Sequence, residues 1–227
     1  MRIITPNKIV LGGCVLAFGA SFLNTGFLLS AGTSVSHLTG DIARIGSGLS
    51  HFTDADRQFL AKVSIATFGF ITGATVSGYL LHHPTLELSR PYGRTLIALG
   101  CFLILAHSML TTYALLSIGI ASAVCGAQNA LANRYRGLVL RTTHLTGLFT
   151  DFGIHLGMRL RGHDIESWKL LIPLWITLSF LLGAVLSSYL LVIGRSDWLL
   201  LAGIGYISGG IVWSIYKRTG RVEPVGM

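Results

Sequence analysis

Six stretches of the chain are apolar almost without interruption, and short polar or basic segments separate them. The runs are Ile9–Ala31, Phe59–Leu81, Thr95–Thr112, Ala114–Asn133, Leu170–Ile193 and Trp198–Tyr216. Each approaches the roughly 20 residues that an α-helix needs to cross a hydrocarbon core of about 30 Å. None shows the period-two alternation that builds a transmembrane barrel. The expected fold class is all-α: a polytopic membrane protein of six transmembrane helices.

Two long connections break this pattern, and they share a motif. Ser36-His37-Leu38-Thr39-Gly40 lies in the first and Thr143-His144-Leu145-Thr146-Gly147 in the fourth. Thr33–Ser50 is too polar for an ordinary span, so it is expected to re-enter or lie at the interface. A shift of 107 residues carries His37 onto His144, Gly19-Ala20 onto Gly126-Ala127 and Gly46 onto Gly153. A second match follows three residues out of that register, "FITGATVSGYLL" from Phe70 over "FLLGAVLSSYLL" from Phe180. Two matches in the same order, one of them polar, point to internal duplication. The halves are residues 1–112 and 113–227, three spans each within one integral membrane domain. An odd number of spans per half inverts the second copy, as in many secondary transporters.

Composition agrees with a bilayer environment. The 227 residues are 52% hydrophobic and 11% charged, with a mean hydropathy of +0.67, against about 25% charged residues in soluble domains. The net charge of +8 could suggest nucleic acid, but its placement follows orientation instead. Arg44, Arg57, Lys62 and Arg195 fall on one side and the other thirteen of seventeen Lys and Arg on the side of the termini. Both termini are therefore expected in the cytoplasm, in a plasma (inner) membrane. Arg2 and Lys8 resemble a signal-peptide n-region, but the apolar run after them is too long for one. Cys14, Cys101 and Cys125 sit inside apolar runs without CxxC spacing, so neither disulfide nor metal site is expected.

Candidate chemistry concentrates at the repeated motif. His37 and His144 can titrate near neutral pH and relay a proton; alternatively each simply bonds the local backbone. Thr39-Gly40 and Thr146-Gly147 place a hydroxyl beside a residue that permits close backbone approach. A short helix starting near Ser34–Ser36, with a mate near Thr142–Thr143, would be hydroxyl-capped and would offer N–H groups to an anion. Asp41, Arg44, Arg141 and Asp151 are the nearest charges, and Arg44 falls on Asp151 under the shift, so a gating charge pair is one expectation. Asn24, Gln128 and Asn129 lie inside spans and need interior partners, as solute contacts or as glue between helices. His107 reads as a core histidine. Gly69, Gly73 and Ser77, like Gly183 and Ser187, are spaced for close helix packing. Gly203, Gly205, Gly209 and Gly210 likewise mark the sixth span as closely packed or adaptable.

The segments "LNTGFLLSAGTSVSHLTGDIARIG" at Leu23–Gly46 and "GAQNALANRYRGLVLRTTHLTGLFTDFG" at Gly126–Gly153 resemble the bacterial membrane family of unknown function DUF1275, also called YoaK-like. The resemblance covers nearly the whole chain and implies six spans and a transporter role, without naming a substrate. His144 departs from the family pattern, where a non-ionisable residue is more usual, so the resemblance does not extend to a paired-histidine mechanism.

No HExxH, GxSxG, Walker or EF-hand motif is present. The leading expectation is a small secondary transporter or channel for a small polar or anionic solute, without catalytic residues, cofactor or metal. The bilayer and that solute are the expected partners, nucleic acid is not, and homo-oligomerisation stays open. A membrane enzyme acting on a lipid-like substrate and a non-transporting assembly partner are the alternatives.

Overall fold

The computed structural model describes residues 6–48, 53–81, 91–131, 134–135, 138–139 and 142–219. Among them are α1 (Pro6–Ala31), α2 (Leu38–Gly48), α3 (Asp54–Leu81), α4 (Tyr92–Met109), α5 (Ala114–Leu131), α6 (Leu145–Leu160), α7 (Trp168–Val192) and α8 (Trp198–Thr219). A two-residue antiparallel ladder, β1 (Arg134–Tyr135) on β2 (Leu138–Val139), sits in the long fourth connection.

Six of the helices (α1, α3, α4, α5, α7 and α8) are long and apolar enough to span a bilayer. Their outward faces are apolar too: Phe68, Leu181, Val192 and Val212 all stand exposed. That inversion of the soluble pattern is what a lipid environment permits. The protein is thus a multi-pass, all-helical membrane protein. At 11 and 16 residues, α2 and α6 reach only about 16 and 24 Å and cross nothing alone.

Helix ends follow local chemistry. α3 begins at Asp54, five residues before its apolar run, because the Thr53 hydroxyl accepts from Asp56 N while the Asp56 carboxylate accepts from Thr53 N and the Thr53 hydroxyl across the first turn. α1 stops where Gly32 takes φ +69°, and Lys62 Nζ donates to the Ala31 carbonyl at 2.8 Å.

Packing depends on backbone-to-backbone approach. α3 lies parallel to α5, where a Cβ at Gly69 or Gly73 would collide with the carbonyls of Gly119 and Ala123. α7 lies in the same way on α1: Gly183 abuts the Phe18 carbonyl, and Ser179 Oγ donates to the Cys14 carbonyl at 2.8 Å. α4 and α8 run antiparallel on a reciprocal glycine seam. A Cβ at Gly100 would stand 2.6 Å from the Gly203 carbonyl oxygen, and one at Gly203 would stand 2.9 Å from that of Gly100. Gly93 and Gly210 repeat this at 2.7 and 2.5 Å.

Swapping the first four helices with the last four leaves these pairings in place, with α2 against α3 mirrored by α6 against α7. The contacts define a packing register of their own. Gly69/Gly119 and Gly73/Ala123 correspond to Ser179/Cys14 and Gly183/Phe18. By these contacts Cys14 and Phe18 of α1 stand toward α7 as Gly119 and Ala123 of α5 stand toward α3, a spacing that puts Asn24 in the place of Asn129, two residues from the Gly19-Ala20 over Gly126-Ala127 alignment.

One buried apolar cluster, including Phe22, Phe27, Leu103, Ile118 and Trp198, joins α1, α4, α5 and α8. A smaller one of Ala17, Leu148, Ile172 and Ile176 seats α6 against α1 and α7.

Candidate functional site

After Gly32 the chain turns back into the protein instead of continuing α1. A non-helical segment bent back among spans must find partners for its N–H groups, because lipid offers none. Asn24 of α1 supplies them: its Oδ1 accepts from Val35 N and Ser36 N at 3.2 Å and from Ser36 Oγ at 3.1 Å. Asp41 of α2 reaches back to accept from Ser34 N at 3.0 Å, Ser34 Oγ at 2.7 Å and Thr33 Oγ1 at 3.3 Å. Thr33, Ser34 and Asn24 are all buried.

The second motif is held differently. Gln128, fully buried, donates Nε2 to the Leu16 carbonyl at 2.8 Å and to Thr142 Oγ1 at 3.2 Å. Its Oε1 accepts from the Tyr206 hydroxyl. One amide thereby ties α1, α5, α8 and the approach to α6, and every donor and acceptor it uses is engaged.

The two motifs meet through His37. Its ring stacks on Phe180 at 5.4 Å with 4° between planes, and Phe180 is the middle residue of α7. The imidazole lies against the Thr143 backbone, within electrostatic reach of His144 and Asp41. His37 Nε2 is buried without a hydrogen-bond partner, as is Asn129 Oδ1. His144 instead stands exposed at the start of α6, its Nδ1 accepting from Gly147 N at 3.3 Å.

The helix starts differ from expectation: α2 begins at Leu38 and α6 at Leu145. The hydroxyl residues at 33–36 and 142–143 are drawn into the buried network, and the cap of α6 falls to His144. Thr39, Gly40 and Thr146 are exposed, and Gly147 is half-buried beneath the His144 ring. Arg44 sits over the Phe59 ring at 4.2 Å, not on Asp151, whose carbonyl meets His155 Nδ1 at 2.7 Å. Arg141 lies outside the described residues. Two surface volumes, about 570 and 430 Å³, lie away from both motifs. Among the described residues no three metal-ligating side chains gather.

The family model described as a protein of unknown function, DUF1275, matches residues 12–212. The chain belongs to the DUF1275 family. No curated protein and no solved structure matches it. The DUF1275 match takes in both motifs, both anchoring amides and all six spans except the outer ends of α1 and α8. Thr33 and Tyr206 join this hydrogen-bonded network without having stood out in the sequence, and Ser34 and Thr142, expected as helix caps, serve it instead. The signal was available for the hydroxyls: Thr33, Ser34 and Ser36 lie within five residues of the start of α2, and Thr142 and Thr143 directly precede His144 at the start of α6. For Tyr206 it was not, since only the fold brings α8 to Gln128.

Proposed function

We propose that this DUF1275 protein is a small secondary transporter or channel for a small polar or anionic solute, with the passage running between the two HLTG segments. One observation carries the reading: His37 of the first half lies against Thr143 of the second, beside the middle of α7. Polar loops brought to that depth are costly unless protein or a watered path satisfies them. Asn24, Asp41 and Gln128 satisfy most of this one, and His37 Nε2 and Asn129 Oδ1 remain as groups for a solute or water. His37 is then the group that links a proton to the passage. Thr39 and Thr146 line the approaches, not the constriction.

The two halves, residues 1–112 and 113–227, are inverted repeats in this reading. Its support is the α4–α8 seam, where Gly93 and Gly100 touch Gly210 and Gly203 reciprocally between antiparallel helices. A two-fold axis exchanging two such helices lies in the membrane plane. Both termini face the cytoplasm, so α2 and α6 enter from opposite sides. Cysteines placed at Ser50 and Thr219, in a chain lacking Cys14, Cys101 and Cys125, test this in intact cells. Labelling is expected at Ser50 only, and equal labelling at both sites rejects the orientation.

The functional test is flux. Purified protein in proteoliposomes is expected to speed equilibration of at least one solute in a panel of small polyols, amides, carboxylates and inorganic anions. His37→Gln should remove the pH dependence of that flux, and Thr143→Val should leave it intact, because His37 meets Thr143 through its backbone. Permeability equal to that of empty vesicles across the whole panel refutes transport.

A further inference from the structure

The structure's cations divide into those with partners and those without. Arg57, Lys169 and Arg195 pair with Asp54, Glu166 and Asp197, Arg44 covers Phe59, and Lys62 closes α1. Arg94 and Arg218 form no ion pair with any described residue. They line one groove of about 570 Å³ between the start of α4 and the end of α8, together with Lys217, Trp213, Ile97 and Ile211.

Three further features describe what the groove would hold. Trp213 contributes a flat aromatic wall to the lining. Pro91 gives α4 no side-chain cap, so the positive end of its dipole adds to the cationic field. The isoleucines continue the groove into the apolar zone of the spans, beside Gly93 where α4 meets α8. Phosphate oxygens would satisfy the guanidinium donors of Arg94 and Arg218, while the isoleucines call for hydrocarbon beside them. A free anion would use only half of this lining.

We propose that the groove formed by Arg94, Trp213, Lys217 and Arg218 binds the head group of an anionic phospholipid, its acyl chain lying along Ile97 and Ile211. The site is separate from the passage between the HLTG segments and stands or falls independently of it. Lipid held there bridges α4 and α8 at one end of their glycine seam, adding a tether where the helices have no side chains to interlock.

The test uses the full chain in detergent, titrated with phosphatidylglycerol, phosphatidylcholine or inorganic phosphate, and followed by thermal unfolding and native mass spectrometry. Phosphatidylglycerol is expected to raise the melting temperature and remain bound, and phosphatidylcholine to do neither. Arg94→Gln and Arg218→Gln should each weaken phosphatidylglycerol binding about fivefold, and the double variant about twenty-fivefold. Arg44→Gln, at another site, should leave binding unchanged. Equal stabilisation by phosphatidylcholine, undiminished binding in the double variant, or a shift fully reproduced by inorganic phosphate would each overturn the assignment.

Discussion

The α1–α2 and α5–α6 junctions carry the same four letters, His-Leu-Thr-Gly, and use them differently. At the first, the histidine turns inward, stacks on Phe180 and keeps a buried nitrogen without a partner. At the second, the histidine turns outward and closes the first turn of its own helix. The anchoring amides differ as well. Asn24 holds backbone N–H groups of the incoming loop, whereas Gln128 holds a side-chain hydroxyl and the carbonyl of a distant helix. Asn129, which corresponds to Asn24 by packing, holds nothing among the described residues. A repeated motif can therefore preserve a turn while its chemistry diverges. Between the two copies, the first is built to expose a polar atom to the interior and the second to seal it.

The sharpest way to break this comparison is at Gln128. Leucine there fills similar space but strands the Leu16 carbonyl and the hydroxyls of Thr142 and Tyr206 inside the protein. Leaving buried partners unmade costs on the order of 3 kcal/mol. Gln128→Leu should give the largest fall in melting temperature of the variants named here. A change within measurement error would mean that water enters the second junction, and the distinction between open and sealed would collapse.

Asn24→Leu comes next, at about 2 kcal/mol, because Val35 N and Ser36 N lose their acceptor. Its effect should be local. Hydrogen exchange at residues 33–37 should accelerate, while amides near Thr142 stay protected. Acceleration at both junctions together would show one cooperative unit, not two separately held ones.

Outside the junctions the halves behave alike, and the glycine seam measures how far that likeness extends. Gly100→Ala and Gly203→Ala each put a methyl group against the other's carbonyl, at 2.6 and 2.9 Å. Each should cost about 1–2 kcal/mol by overpacking, and the two costs should be close to equal. Unequal costs would locate the asymmetry in the whole scaffold and not in the motifs.

How much of this was legible in the sequence depends on the distance over which each feature is decided. The six spans are set by local apolarity, and their ends were readable to within a few residues. Asp54 shows the exception, since a capping box extends α3 beyond its apolar run. The starts of α2 and α6 were not readable. Ser34, Ser36 and Thr142 are good local caps, but Asn24, Asp41 and Gln128 claim them from elsewhere. The α4–α8 seam was half visible: Gly203 and Gly210 stood out in the sixth span, while their partners Gly93 and Gly100 did not, because a seam is defined only by both sides. The pairing of Arg44 with Asp151 rested on alignment alone, and Phe59 lies closer to hand.

The smallest predicted effect bears most directly on why the two histidines differ. His144 closes α6 with a single 3.3 Å bond from Gly147 N, on an exposed surface. Removing an N-cap of that kind costs about 0.5–1 kcal/mol, and a residue that restores the acceptor recovers it. His144→Ala should thus lower the melting temperature slightly, and His144→Asn should restore it. Neither should change flux or its pH profile, since the ring that faces Thr143 and Phe180 belongs to His37. His37→Asn should behave in the opposite way, because its ring contacts are lost and no capping bond to Gly40 N is present to be preserved. If His144→Asn abolished the pH dependence of flux as fully as His37→Gln, the outward histidine would be a working partner of the inward one, and the second junction would have to open during transport.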